Sequence, residues 1–188
     1  MSPPVYIFTG IGKLPAECRE AYLGSFERQL FPKNYLLVRT GEVCRHLYFL
    51  EKGAARAFYY DLDGREITSK LTLETTLITP IYNFVTGKPS YESIELLEKS
   101  VVHQMPYDRL ESLFAQFHEL ERLGRKMMEA YFVYLEEHLM TIKFQTAQNR
   151  YKTLLSQSPG LLQRVPLVYI ASYLGITPET LSRIRGTA

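Results

Sequence analysis

The sequence predicts an α+β chain, with a β-rich first half, one long helix and a pair of short helices at the end. Three observations carry this. Between Phe31 and about Met105, short apolar or aromatic runs are separated by turn residues. From Tyr107 onward the apolar residues recur at helical spacing, and no proline interrupts them as far as Phe144. Near the C-terminus Pro166, Gly175 and Thr177-Pro178 punctuate two short amphipathic segments.

The β elements come first. Leu36-Leu37-Val38, Leu47-Tyr48-Phe49-Leu50 and Ala54 to Tyr60 are strand-like runs, bounded by Thr40-Gly41-Glu42, Lys52-Gly53 and Asp61-Leu62-Asp63-Gly64. Asp63-Gly64 between Phe58-Tyr59-Tyr60 and Ile67 signals a hairpin, because glycine supplies the positive φ of a tight turn. A second set runs over Lys70 to Ile78 and Ile94 to His103. Short strands at this spacing point to a sandwich or closed barrel, which hides its sheet edges.

The helical stretch opens at Pro106, with Leu110, Leu113, Phe114 and Phe117 on one face. A long helix then runs to about Phe144. Gly124, Met128, Tyr131, Leu135, His138 and Ile142 follow one another at spacings of 4, 3, 4, 3 and 4, the pattern of a coiled-coil seam. At roughly 1.5 Å per residue such a helix outreaches a small domain, so one side is expected to meet a second copy of the chain. The seam residues taken as the dimer interface are Met128, Tyr131, Leu135, His138 and Ile142. The chain divides accordingly into 1–117, a dimerisation helix over 118–144, and 145–188.

The last stretch is the most specific. Val168, Ile170, Ala171 and Leu174 give its first helix an apolar face, with a small residue where a second helix must cross. Gly175 ends that helix, Thr177 caps the next, and Pro178 takes its first position, where a missing N–H costs nothing. Leu181 and Ile184 point inward, leaving Glu179, Thr180, Ser182, Arg183 and Arg185 for the outer face. Charge agrees. From Lys143 to Ala188 six basic residues face one acidic residue, a net +5, which leaves −3 for the remainder of a chain whose total is +2. A basic end on a mildly acidic body suits a polyanion. Arginine can pair with guanine and glutamate can accept from cytosine in the major groove. Thr177, Glu179, Thr180, Ser182, Arg183 and Arg185 are therefore the candidate DNA-binding residues.

Other classes are excluded. Hydrophobic residues make up 46% and charged residues 22% of the 188, a soluble globular profile. No apolar stretch approaches the ~18 residues of a membrane helix, so no membrane is expected as a partner. Met1 to Gly10 does not read as a signal peptide. Cys18 and Cys44 sit in no CxxC pair, which fits a reducing cytoplasm. His46, His103, His118 and His138 are scattered, so no metal, cofactor or cupin-type catalytic centre is expected, and nucleophile-elbow and phosphate-loop motifs are missing. Gly10-Ile11-Gly12 is too little for a dinucleotide fingerprint.

In its motifs the chain resembles the cyclic-AMP receptor and fumarate–nitrate regulator (Crp/Fnr) family of bacterial transcription factors, from about Leu14 to Arg185. Gly41-Glu42, Leu47 to Gly53 and Asp63-Gly64-Arg65-Glu66 resemble that family's barrel signature. Ile170-Ala171 through Thr177, and Glu179 to Arg183, resemble its helix-turn-helix. The resemblance implies a cyclic-nucleotide-binding-like jelly roll, a dimerisation helix and a winged-helix-like headpiece whose wing is short or absent. It also implies a homodimer on a palindromic double-stranded operator, with RNA polymerase and a small-molecule effector as further partners. One departure concerns the effector. Pro80 stands where the family's ribose-binding glutamate would be and Ser90 where its phosphate-binding arginine would be, so a cyclic nucleotide loses its charged partners. Ile81, Tyr82, Asn83, Phe84, Ser90 and Tyr91 would line a pocket for a flatter, less charged ligand, or fill it themselves. The iron–sulfur sensors' N-terminal cysteine cluster is missing too. The alternative reading is a ligand-binding sensor module whose C-terminal helices contact protein rather than DNA.

Overall fold

A computed structural model describes residues 10–186. The segment 1–9, read above as lacking signal-peptide character, lies outside the described residues, as do the last two positions. Two four-stranded antiparallel sheets face each other. One has the order β1 (Glu27–Phe31), β8 (Ser100–Pro106), β3 (His46–Lys52), β6 (Thr76–Leu77). The other has the order β2 (Leu36–Val38), β7 (Ser93–Leu96), β4 (Ala55–Tyr60), β5 (Glu66–Thr72). This interleaved order is a jelly roll, as the family resemblance implies and within the sandwich or barrel expected from the strand spacing.

The β4–β5 hairpin closes where expected. Gly64 has φ +77°, and the Asp61 carboxylate accepts from the backbone N–H groups of Asp63 and Arg65, both at 2.9 Å. The first four residues of β4, Ala55 to Phe58, are buried without alternation. The reason is that both faces of the strand are covered. Ala55 and Ala57 point into the jelly roll, while Arg56 lies under the C-terminal helices.

Helix α1 (Ala16–Leu23) packs Cys18 and Tyr22 into the jelly-roll core, and α2 (Ile81–Thr86) covers one mouth of it. Helices α3 (Tyr107–Gln116) and α4 (His118–Phe144) are separated by Phe117, whose extended backbone breaks the helix. A Cβ on Gly124 would stand 2.8 Å from the Phe114 ring, so this glycine lets the two helices approach. Then come α5 (Ala147–Gln157), capped by Thr146, a short α6 (Leu161–Arg164), α7 (Leu167–Tyr173) and α8 (Pro178–Gly186). A second core gathers Leu154, Leu161, Val165, Ile170 and Leu181 of these helices with Ala54, Leu71 and Leu97 of the jelly roll. Among the described residues no helix is long and apolar enough to cross a membrane.

Three elements differ from the expectation. Strand β1 begins four residues before Phe31, and Ile81 to Phe84, expected as pocket wall, lie in α2. Helix α7 starts one residue after Pro166, which serves as its cap. Val168 is 54% exposed, so the inner face of α7 is carried by Ile170, Ala171 and the partly buried Tyr169.

Candidate nucleic-acid interface and effector cavity

The α7–α8 pair is tight because its crossing residues are small or branched. Ile170, Ala171, Leu174 and Leu181 are all at most 2% exposed. Gly175 takes φ +66°, which allows the Ile176 N–H to reach back to the Ala171 carbonyl at 3.0 Å and seal the end of α7. The Thr177 hydroxyl accepts from the Thr180 N–H at 3.3 Å, capping α8. Thr177, Glu179, Ser182, Arg183 and Arg185 are exposed on the outer face, while Thr180 is half-buried with its hydroxyl 3.2 Å from that of Thr177. Hydrogen bonds from its own backbone N–H and from the Thr177 hydroxyl hold the Glu179 carboxyl below its ordinary pKa.

Not every basic residue counted from the sequence is available to a polyanion. Arg150 donates to the carbonyls of Gln145 and Leu174, both at 2.7 Å. Arg164 turns away from α8 and donates to Glu74 at 2.8 and 2.5 Å and to Glu98 at 3.3 and 2.5 Å. Hydrogen bonds from Arg164 hold the Glu74 carboxyl at a pKa of about 2.

The headpiece is docked on the jelly roll by more than this pair. The Arg56 guanidinium lies between the rings of Phe58, 4.1 Å from its centroid, and Tyr169 of α7, at 3.7 Å. It also donates to Glu95 and Glu66, both at 2.6 Å. The Thr68 N–H donates to the Ser172 hydroxyl at 2.9 Å.

Along α4 the seam residues split between two sides. Met128, Leu135 and Ile142 are exposed. Tyr131 and His138 are half-buried and turned toward the chain's own body. The Tyr134 ring stacks on both, and His138 continues the stack onto Tyr173 of α7, with centroids 6.0 to 6.2 Å apart. Burial lowers the His138 pKa. Phe132 and Leu139 take their places outside, so the exposed apolar row is Met128, Phe132, Leu135, Leu139, Ile142, again with heptad spacing.

A cavity of about 300 Å³ lies between the open end of the jelly roll, α2, α3 and the first half of α4. Of the six residues expected around an effector, Ile81 and Phe84 line it. Tyr82 and Tyr91 lie on the surface against each other, with centroids 6.2 Å apart. Asn83 and Ser90 are buried in a knot outside the cavity. Asn83 donates to the Pro89 carbonyl at 2.8 Å, and Ser90 donates to the Glu92 carbonyl at 2.7 Å. Lys70, which sequence reasoning missed, reaches the cavity from β5. Its signal was a charged residue in a strand-like run, and its side is unreadable because a bulge at Ala57/Phe58 shifts the alternation.

Comparison with known proteins agrees with this geometry. Residues 28–117 match the cyclic nucleotide-binding domain family. The chain is 25% identical over 165 residues to the fumarate and nitrate reduction regulatory protein of Vibrio cholerae, covering 82% of this chain. It spans 65% of that relative's length, just under two thirds. The fold is shared with FixK2 of Bradyrhizobium japonicum (TM-score 0.74, 19% identity, 86% of this chain and 83% of that one). It is also shared with the catabolite activator protein of Thermus thermophilus (TM-score 0.61, 20% identity, 97% and 85%).

Proposed function

We propose that the chain, whose residues 28–117 match the cyclic nucleotide-binding domain family and which is 25% identical to a fumarate and nitrate reduction regulator, is a homodimeric, DNA-binding transcription regulator of the Crp/Fnr type rather than an enzyme. In this reading 1–117 is the effector domain, 118–144 the dimerisation helix and 145–188 the DNA-binding headpiece. The observation that carries it is α8, which is anchored by Leu181 while Glu179, Ser182, Arg183 and Arg185 face outward. A helix of this kind fits the major groove, and two copies related by a two-fold axis read a palindrome. In this reading Arg183, with Thr180 and Ser182 beside it, meets base edges, supported by the exposure of Arg183 and Ser182, and Thr177 and Arg185 flank them. The dimer forms along Met128, Leu135 and Ile142, with Phe132 and Leu139. A DNA-bound dimer works in the cytoplasm and acts through RNA polymerase.

Genome-wide capture of bound fragments supplies the duplex for the test. Electrophoretic shifts on it should weaken by several decades between about 50 and 200 mM salt, as phosphate contacts release counterions. Arg183→Ala should cost about 1–3 kcal/mol on that duplex and much less on a random one. Equal losses on both would restrict Arg183 to phosphate. No shift at the lower salt would favour a module whose α8 meets protein instead.

A further inference from the structure

The cavity beside α4 has one feature that the DNA-binding reading does not use, a lysine inside a jelly roll. Lys70 is paired with Ala57 across the β4–β5 ladder, and Ala57 belongs to the jelly-roll core, so Lys70 shares its inward side. Leu71, next along the strand, faces the other way into the headpiece core. The Lys70 ammonium crosses to the opposite sheet and donates to the Leu77 carbonyl at 3.1 Å. An ammonium carries three N–H donors, and this bond uses one. The charge of Glu92 acts on Lys70, but this carboxylate accepts from the Ser69 hydroxyl at 2.9 Å and forms no ion pair with the lysine. Burial draws the Lys70 pKa down to about 8. A half-buried cation with N–H donors to spare offers a partner to an anion.

Most of the rest of the wall is apolar, with the rings of Tyr22, Tyr107 and Tyr131 among it. Leu47, Leu77, Ile81, Phe84, Leu110 and Met127 line it. Thr79 is already engaged, since its hydroxyl accepts from the Tyr48 N–H at 2.7 Å. Glu111, Glu121 and Arg125 stand exposed on the outer lining, at the mouth. The volume, about 300 Å³, is at the small end for ligand pockets. At roughly 30 Å³ per water-sized group it holds about ten non-hydrogen atoms. A nucleotide has about twice that many, too many for this space.

We propose that this cavity binds a small apolar monocarboxylate, whose carboxylate accepts from the Lys70 ammonium while its hydrocarbon part fills the space between α2, α3 and α4. The proposal rests on reading the jelly roll as an effector domain, and it is tested without DNA. Calorimetric titration of the full chain with octanoate should give one site per chain. Octanoate should bind at least tenfold more tightly than 1-octanol, and octylamine more weakly than either. Lys70→Met should lose the preference for octanoate over octanol, with Lys70→Gln as the polar control and thermal melts to confirm folding. The three-ligand comparison on the unaltered chain stands even where a variant does not fold. A preference for octanoate below tenfold, its persistence in folded Lys70→Met, or no octanoate binding at millimolar concentration would overturn the proposal. Octanoate selectivity without a DNA shift would bring down the regulator reading alone. A DNA shift without octanoate selectivity would bring down this one alone.

Discussion

At Arg164 a single guanidinium satisfies two carboxylates from different loops of the jelly roll. Glu74 has a folded pKa of about 2 against an ordinary 4.5, with the hydrogen bond from Arg164 as the chief cause. A depressed carboxylate stabilises the fold fully above its unfolded pKa, and that contribution is lost as pH falls through the folded value. Melting temperature should therefore fall between about pH 4.5 and 2 as Glu74 takes up its proton. Arg164→Ala should lower stability at neutral pH by about 1–2 kcal/mol, discounted because all three groups are partly exposed, and should flatten this acid slope. Glu51, held near 2 by Arg28 and His103, supplies the slope that remains. An acid slope unchanged in Arg164→Ala would mean the cluster contributes nothing. In the sequence Arg164 could only be counted as one more positive charge in a basic tail. Its partners lie 90 and 66 positions earlier, and no local pattern announces a pairing across that distance. Thr177 and Gly175 were legible for the opposite reason, since capping and a left-handed turn are decided within a few residues.

Among the elements, α4 was legible in extent and only half legible in orientation. Its bounds, His118–Phe144, follow from helical spacing and the lack of an internal proline. A heptad pattern does not say which of two adjacent apolar rows faces a partner, however. Tyr131 and His138 belong to a row that meets the cavity wall and α7, and Phe132 and Leu139 belong to the row left outside. Leu135→Asp should give monomers by light scattering at micromolar concentration, because it would bury a charge at the centre of the exposed row. His138→Ala should leave the dimer intact and disturb the contact with Tyr173 instead. A monomeric parent chain at that concentration removes the dimer. Helix α2 was not legible, since six residues between Pro80 and Gly87 make too short a run to show a period.

For the whole molecule, the order of jelly roll, long helix and helix-turn-helix was readable because each stretch has its own period. The docking of the last onto the first was not, because Arg56 and Tyr169, or Thr68 and Ser172, meet only once the chain has folded back. The effector end carries its own expectation. Pro80 caps α2 and Ser90 is committed to the Asn83 knot, and on the sequence reading these are the positions at which a cyclic nucleotide would lose two anchors. Each such hydrogen bond to a charged group is worth about 1.5–3 kcal/mol, so affinity should fall by roughly two to four decades. Titration with cyclic AMP and cyclic GMP should show no micromolar binding, and micromolar binding of either would mean that other residues hold the phosphate. The shared second core also bears on how the chain is made. Leu71 and Leu97 are covered by Leu161 and Val165, and Leu161 follows Leu97 by 64 positions. At roughly 5–20 residues per second, a nascent jelly roll leaving the ribosome would wait about 3–13 s with that apolar patch uncovered. In this interval each unfinished chain can stick to its neighbours, and slower, cooler expression with fewer ribosomes per message would favour recovery of the intact protein.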